Sequence, residues 1–325
     1  MVLLKDVKGQ NNVIRYLSNS LSSGRTYSSY LFTGPEGVGR TLVAKAFVMA
    51  LMCDDKPNDT DSCGECPTCR RIEAGDHPDI IWIKPEKNKA IKIEQVRGAK
   101  DALSLKPYES KRIVCVIEDA HLMTRDAANA LLKVLEEPPG HSVIILTTNK
   151  KELLLETVIS RCSEVRFRSL SIADTKDIIM REDESLDEEF ALFLAHFSQG
   201  SPGRALEMVE EGVLERKDSI LGILDTVVKE ENSVCLNWDI ENKTGLLEDI
   251  DILIMVFRDI VLASEGAVDM IVDKDVLGTE AYSYFEKYPV DEIYSIVEKL
   301  VNMRRALMGN VNPKLVAQAL PGMLK

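Results

Sequence analysis

The feature that most constrains the fold of this chain is a glycine-rich run between a strand-like and a helix-like segment. The apolar segment 30–33 is followed by Gly34-Pro35-Glu36-Gly37-Val38-Gly39-Arg40-Thr41 and then by the helix-forming stretch 42–52. The run matches the pattern G-x-x-x-x-G-K-[ST] everywhere except at Arg40. Such glycines let the backbone form a nest of N–H groups at a helix N-terminus, which attracts phosphate. The run therefore predicts a phosphate loop, although a glycine-rich turn of another α/β fold also fits it.

Arg40 has different consequences for nucleotide binding and for nucleotide hydrolysis. A lysine ammonium is a compact charge that fits between terminal phosphates, whereas a guanidinium is planar and directs its donors in a fixed fork. The sequence therefore permits binding of ATP or ADP with Mg²⁺ and argues against efficient hydrolysis.

Length and charge limit the class of protein. A chain of 325 residues predicts two or three domains. The net charge of −13 argues against an independent DNA-binding module, because such modules cluster Lys and Arg. The N-terminal residues lack a signal-peptide pattern, and no apolar run approaches the roughly 20 residues of a membrane helix. We expect a cytoplasmic protein without a membrane partner.

Strand-like and helix-like segments alternate in the first half of the chain. The segments 80–83, 113–117 and 143–146 read as buried strands, and 93–103 and 126–135 carry helical periodicity. Alternation of this kind predicts a parallel sheet with helices on both faces. After residue 167 the pattern is helical throughout.

The expected fold class is accordingly α/β plus all-α. The predicted domains are an α/β nucleotide-binding domain at 1–167 with a cysteine module at 53–69, a small helical lid at 168–211, and a helical domain at 212–325.

Four of the seven cysteines crowd into one short segment. Cys53, Cys63, Cys66 and Cys69 include two consecutive C-x-x-C steps, a spacing typical of closed tetrahedral zinc sites. A redox C-x-x-C pair is the alternative. His77 lies too far along the chain and is expected to be structural. The segment predicts a structural Zn²⁺ site that fastens a surface excursion by coupling metal binding to folding.

Two acids follow the predicted strand 113–117. In P-loop ATPases of the AAA+ superfamily, this place holds an acid for magnesium and then an acid that activates water, and Glu118-Asp119 inverts the usual Asp-Glu order. Displacements near 1 Å can cost about a hundredfold in rate. Exposed acids at a strand end are the alternative. We expect both acids to be catalytic-site residues of an ATPase whose own activity is absent or weak.

With these features the chain resembles the clamp-loader subunits of bacterial DNA polymerase III, which belong to the AAA+ superfamily. It is similar to the delta-prime family more than to the gamma/tau motor family, because of the stretch 91–97 and the altered hydrolytic residues. The resemblance covers nearly the whole chain, and it is carried by Val7-x-Gly9-Gln10, Gly34 to Thr41, the four cysteines, His77-Pro78-Asp79, Ile91 to Arg97, Asn129 to Pro139, Ser160-Arg161-Cys162 and Gly200 to Ala205.

The resemblance implies a role in trans for Arg161. In this family the Ser-Arg-Cys motif supplies an arginine finger to ATP in a neighbouring motor subunit, and a guanidinium suits this task because it stays charged and can bind phosphate oxygens bidentately. Without the family, Arg161 reads as a surface ion-pair residue. Arg204 resembles the sensor-2 arginine, and either Thr148 or Asn149 stands in the sensor-1 place.

The resemblance also implies the residues of a nucleotide site. Val7, Gly9 and Gln10 would line the adenine pocket. The phosphate cradle would consist of Gly34, Gly37, Gly39, Arg40 and Thr41, with the Thr41 hydroxyl directed at magnesium.

Three functions remain open from the sequence. The first is a stator subunit of a pentameric clamp loader, with gamma/tau and delta subunits as partners. Such a subunit contacts the sliding clamp and primed DNA through the assembly, and its C-terminal domain packs into a helical collar. The second is a gamma/tau-like motor that itself binds and hydrolyses ATP. The third is an AAA+ adaptor unrelated to replication, such as a chaperone-like remodeller.

Overall fold

The computed structural model describes residues 1–86, 89–229, 243–309 and 311–323. These residues form two compact units. The first consists of Met1–Thr175 together with Ser201–Gly203, and the second of Lys176–Gly200 together with the described residues from Arg204 onward. The three-domain division at 167/168 and 211/212 stays a prediction.

A five-stranded parallel sheet forms the centre of the first unit. Its strands are β1 (Ser29–Thr33), β2 (Ile80–Ile83), β3 (Ile113–Ile117), β4 (Ser142–Thr148) and β5 (Ser163–Arg166), in the order β2-β3-β4-β1-β5. Every residue of the central strands β1, β3 and β4 is buried, as expected for a sheet covered on both faces. The predicted parallel sheet is confirmed.

The edge strand β5 was not among the strands predicted from the sequence. It reads Ser-Glu-Val-Arg, and only Val165 is buried. Pairing with β1 defines this strand, since its residues form no apolar run.

The strand order brings several loops to one edge of the sheet. β1 lies between β4 and β5, and Thr33 at its end is in register with Thr148 of β4. β3 pairs with the other side of β4, so that Ile117 is in register with Leu146. The loops after β1, β3 and β4 therefore leave from the same carboxyl edge, where ligands of open α/β sheets bind.

Helices cover the sheet. In the first unit they are α1 (Asn11–Ser22), α2 (Arg40–Met52), α3 (Pro67–Ala74), α4 (Ile93–Leu103), α5 (Arg125–Glu136) and α6 (Glu156–Ile159). The helix after the glycine-rich loop begins two residues earlier than the predicted 42–52, because Gly39 serves as its N-cap.

The remainder of the described chain is helical. Its helices are α7 (Ile172–Glu182), α8 (Glu188–Phe197), α9 (Pro202–Glu210), α10 (Val213–Lys229), α11 (Lys243–Ser264), α12 (Glu280–Phe285), α13 (Val290–Met308) and α14 (Pro313–Met323). Helix-breaking residues in the sequence predict interruptions at 200–203, near 232–233 and at 288–289. The first and the last fall at helix ends, and 232–233 lies outside the described residues. Within the described ranges, no helix is both long and apolar enough to cross a membrane.

A buried carboxylate fastens the loop between α4 and β3. Asp79 is 3% exposed and accepts hydrogen bonds from the backbone N–H groups of Tyr108, Glu109 and Ser110 at 2.6–3.0 Å. Burial alone would raise the pKa of Asp79, but these three donors outweigh burial and lower it below the ordinary value. The ionised carboxylate therefore stabilises this end of the sheet.

Replacing Asp79 with alanine should lower the free energy of unfolding by about 1.5–3 kcal/mol, because it removes the charged acceptor that the three N–H groups share. Since the folded pKa is depressed, the stabilisation is present above the unfolded pKa of about 3.9 and is lost as the pH falls through the folded value. The difference between wild type and Asp79→Ala in urea unfolding should be constant from about pH 5 to 8 and shrink below about pH 4. The exposed neighbour Asp76→Ala is the control, and an equal loss there would contradict this role.

Candidate functional site

The glycine-rich loop is shaped by conformations that side chains rarely adopt. Gly39 has a φ of +93° and caps α2, whose first residues follow at the loop's end. A Cβ on Gly34 would lie 2.6 Å from the carbonyl oxygen of Phe167. The loop therefore requires glycine at these positions, as a cradle of backbone N–H groups does.

A short segment from later in the chain braces the loop. The Ser201 hydroxyl donates to the Glu36 carbonyl at 2.6 Å, and the Gly203 N–H donates to the Gly37 carbonyl at 2.9 Å. A Cβ on Gly203 would lie 2.9 Å from Gly37 Cα, so only glycine allows this approach. The carbonyl groups of Glu36 and Gly37 are thus paired within the protein.

Arg40 is buried at the start of α2, with 7% of its surface exposed. Its Nη2 lies 3.9 Å from Asp119 Oδ1, while its buried Nη1 has no hydrogen-bond partner among the described residues. Burial lowers the pKa of Arg40 from its ordinary value, and the carboxylates of Asp119 and Glu36 oppose this effect. An unpaired buried guanidinium donor fits a phosphate oxygen, so the residues present are compatible with a bound nucleotide.

The two acids after β3 are directed to different partners. Glu118 accepts a hydrogen bond from the indole N–H of Trp82 in β2 and lies 3.3 Å from Lys84 Nζ. Asp119 adopts a left-handed φ of +45°, and its N–H donates to the Thr147 hydroxyl at 3.1 Å. Glu118 is therefore held by β2, and Asp119 faces Arg40.

The two sensor-1 candidates differ in their contacts. Thr148 is fully buried, and its hydroxyl lies 3.1 Å from His121 Nδ1. Asn149 Nδ2 donates to Glu36 Oε2 at 3.3 Å, and its buried Oδ1 has no partner in the described part of the chain. Burial lowers the pKa of His121, which favours its neutral form. Both candidates contact the glycine-rich loop: Asn149 does so through its side chain, and Thr148 through its backbone carbonyl, which accepts from the Gly34 N–H at 3.3 Å.

The N-terminal candidates lie next to the same loop. Gly9 has a φ of +77° and packs against Leu170. Gln10 is buried, and its amide donates to the carbonyl oxygens of Val38 and Arg168 at 3.3 and 2.7 Å. Gln10 thus links the glycine-rich loop to the chain that leaves β5. Val7, three residues earlier, ends a short 3-10 turn.

The four predicted cysteine ligands come together. The sulfur atoms of Cys53, Cys63, Cys66 and Cys69 all lie within 4.8 Å of one another, a distance at which they could share a metal ion. Cys53 follows α2 directly, and Cys66 is the N-cap of α3. His77 is not part of this group, since its ring bonds with the Asp79 N–H and the Ser110 hydroxyl.

Backbone donors surround these sulfurs. The N–H groups of Cys63, Cys66 and Cys69 each donate to a cluster sulfur at 3.3–3.4 Å. For Cys66, burial raises the pKa of the thiol, but hydrogen bonds led by the Cys69 N–H outweigh burial and lower it to about 7. Burial raises the pKa values of Cys53 and Cys69. The cluster therefore already contains donors that favour a thiolate.

Arg161 lies just after α6, at the surface of the first unit. Its Nη1 donates to the Thr157 carbonyl at 2.9 Å, and its Nη2 lies 2.8 Å from Glu136 Oε1. The side chain is 34% exposed. The guanidinium is thus both anchored and accessible.

Arg204 belongs to the second unit and is paired within it. Its guanidinium contacts the carboxylates of Glu207, Glu211 and Glu248 at 3.0–3.5 Å. Burial would lower the pKa of Arg204, but the carboxylates, led by Glu211, raise it above the ordinary value. The sensor-2 role of Arg204 stays a prediction.

Sequence reasoning missed the partners of the predicted residues. These partners are Trp82, which bonds to Glu118, Glu136, which pairs with Arg161, and Ser201, which bonds to the glycine-rich loop. Glu136 and Ser201 stand within segments that carry the family resemblance, but nothing in those segments indicates which side chain each one contacts.

Comparisons with known proteins identify the family. Residues 9–171, half of the chain, match the family described as "DNA polymerase III, delta subunit". The delta' subunit of Bacillus subtilis is 26% identical over 97% of this chain and 96% of that protein. The tau subunit of Escherichia coli is 34% identical over 64% of this chain but only 32% of that protein.

A solved structure matches over nearly the full length. A gamma subunit-related protein of Thermotoga maritima covers 98% of both chains at 20% identity, with a TM-score of 0.46. The chain spans about a third of the length of the tau subunit named above. The family match and the delta' similarity confirm the relationship expected from the motifs, and the chain belongs to the DNA polymerase III delta-subunit family as a delta'-like AAA+ clamp-loader protein.

Proposed function

We propose that this chain is a stator subunit of a DNA polymerase III clamp loader. It supplies Arg161 to ATP bound by a neighbouring gamma/tau-like motor subunit, while the assembly opens the sliding clamp and loads it onto primed DNA for chromosomal replication. The observation that carries the proposal is the Arg161 guanidinium, which is accessible at the surface and held by acceptors of its own unit.

The chemistry of Arg161 suits a role in trans. A guanidinium carries five N–H donors and remains charged at all physiological pH values. Contacts with Thr157, Ser160 and Glu136 use three of these donors, which leaves others to bind phosphate oxygens. Placed against the neighbour's terminal phosphate, the guanidinium would stabilise the charge that develops during transfer.

The chain's own phosphate loop supports binding more than turnover. Arg40 with its unpaired Nη1, the glycine nest and Thr41 would hold the phosphates and magnesium of a nucleotide, and a phosphate oxygen would supply the acceptor that the buried Nη1 lacks. Glu118, however, is bonded to Trp82 and lies close to Lys84. A carboxylate occupied in this way is poorly placed to hold magnesium or to activate water.

A motor function is the second candidate, and the buried Arg40 Nη1 is the observation that favours it. An unpaired donor at the head of α2 is what a γ- or β-phosphate would satisfy. In this alternative the chain would hydrolyse the ATP that it binds, and Asp119 would be the acid nearest the phosphates.

The cysteine cluster is proposed to hold a structural zinc ion. Cys53 Sγ lies 3.5 Å from Cys63 Sγ and 3.9 Å from Cys66 Sγ, and Cys63 Sγ lies 4.0 Å from Cys69 Sγ. Tetrahedral zinc with bonds of about 2.3 Å requires sulfur–sulfur distances of about 3.8 Å. The ion would fix the excursion between α2 and α3.

The proposed partners follow from the family. They are the gamma/tau and delta subunits, the sliding clamp and, through the assembly, primed DNA in the cytoplasm. A net charge of −13 favours DNA contact shared with partners over solitary binding. The helices from 212 onward are proposed to pack into a collar with sister subunits, and the segment 168–211 to act as the lid.

In assemblies reconstituted with the motor subunits of the same organism, Arg161→Ala should lower DNA-stimulated ATP hydrolysis by up to about 1,000-fold at the affected site, because the transition-state charge loses its partner. Single-turnover phosphate release, with assembly checked by mass, measures this loss. Arg166→Ala is the matched control, since Arg166 is another surface arginine with 74% exposure. Unchanged hydrolysis in Arg161→Ala would remove the stator proposal.

The isolated chain should release phosphate from ATP no faster than a background control, because Glu118 is occupied by Trp82. Glu118→Gln and Asp119→Asn should leave that rate unchanged. Turnover that either substitution abolishes would favour the motor alternative.

The purified chain should contain one zinc ion per molecule by elemental analysis. Cys63→Ser and Cys69→Ser should lose the ion and, with it, protection of the segment 53–69 against proteolysis. Cys115→Ala is the control, because Cys115 lies in β3 and burial raises the pKa of its thiol to about 12. Loss of zinc in the control, or its retention in both cluster variants, would refute the assignment.

A further inference from the structure

Arg161 lies outside the helices and strands, so no regular backbone structure fixes its side chain. It stands two residues beyond the end of α6, which is only four residues long. An arginine in such a place has many rotamers, and each rotamer directs the guanidinium elsewhere. A residue that must reach a neighbour's phosphate therefore needs something to select its direction.

Two acceptors hold different terminal nitrogens of the guanidinium. The Thr157 carbonyl accepts from Nη1 at 2.9 Å, and the Glu136 carboxylate lies 2.8 Å from Nη2. Because the group is planar, contacts at both terminal nitrogens fix its plane as well as its position. The Thr157 contact is local, so Glu136, which comes from α5, is the contact that ties Arg161 to the body of the unit.

The place of Glu136 in α5 is not explained by helix stability. Glu136 is the last residue of α5, where the negative end of the helix dipole disfavours a carboxylate. Its side chain is 49% exposed, so burial does not account for it either. The adjacent Glu137 is also exposed and caps the same helix end, but no ion pair to it is present in the described residues. Among the described residues, Glu136 thus forms an ion pair with Arg161 and Glu137 does not.

We infer that Glu136 is a positioning residue for Arg161: its carboxylate presents the guanidinium to the ATP of the neighbouring subunit in one orientation. This inference rests on the proposed trans function. It requires that Glu136 act through geometry, because a negative charge beside the guanidinium would by itself weaken the attraction for phosphate.

Four variants test the inference in the reconstituted assembly: Glu136→Ala, Glu136→Gln, Glu137→Ala and the double variant Glu136→Ala/Arg161→Ala. Glu136→Ala should lower the kcat of DNA-stimulated ATP hydrolysis about three- to tenfold, because the Arg161 guanidinium then adopts unproductive orientations. The KM for ATP and the Tm should change little. Glu136→Gln should stay within about twofold of wild type, since the amide oxygen accepts the same hydrogen bond. Glu137→Ala should match wild type.

The double variant decides whether the two residues act together. If Glu136 works through Arg161, its removal adds no further loss once Arg161 is alanine. A multiplicative loss in the double variant would overturn the inference. A rate increase in Glu136→Gln would also overturn it, because it would mean that the charge of Glu136 hinders Arg161. If Arg161→Ala lowers the rate and Glu136→Ala does not, the inference fails while the trans function stands. If Arg161→Ala has no effect, both fail.

Discussion

Parallel pairing of β1 between β4 and β5 is the interaction on which the rest of the structure depends. It places Thr33 beside Thr148 and aligns the carboxyl ends of β1, β3 and β4 at one edge. The glycine-rich loop, the acids after β3 and Asn149 meet there only because of this register. A shift of one residue would turn every side chain of β1 to the opposite face.

Around that edge, the residues expected at the chain's own ATP site contact other groups of the protein. Trp82 and Lys84 hold Glu118, and buried Arg40 faces Asp119. Arg161, in contrast, keeps its guanidinium at the surface. This contrast fits the proposed stator role, in which the phosphate loop serves binding or structure and the exposed Arg161 serves a neighbour's site.

Much of this could be predicted from the sequence, because the signals were local. Apolar runs located β2, β3 and the centre of β4, and the cysteine spacing predicted a cluster whose four sulfurs do come together. What was missed depends on contacts across the chain. β5 contributes one buried side chain and is defined by pairing, while the Trp82–Glu118, Ser201–Glu36 and Glu136–Arg161 contacts join residues 25 to 165 positions apart. The hydrophobic periodicity of a sequence does not reveal which distant residues contact each other.

The most direct test of the trans role is a structure of the reconstituted assembly bound to a non-hydrolysable analogue of ATP. The account predicts that Arg161 of this chain lies within hydrogen-bonding distance, about 2.7–2.9 Å, of a phosphoryl oxygen in the adjacent motor subunit. A fully formed interface in which the Arg161 guanidinium contacts no phosphate would contradict it.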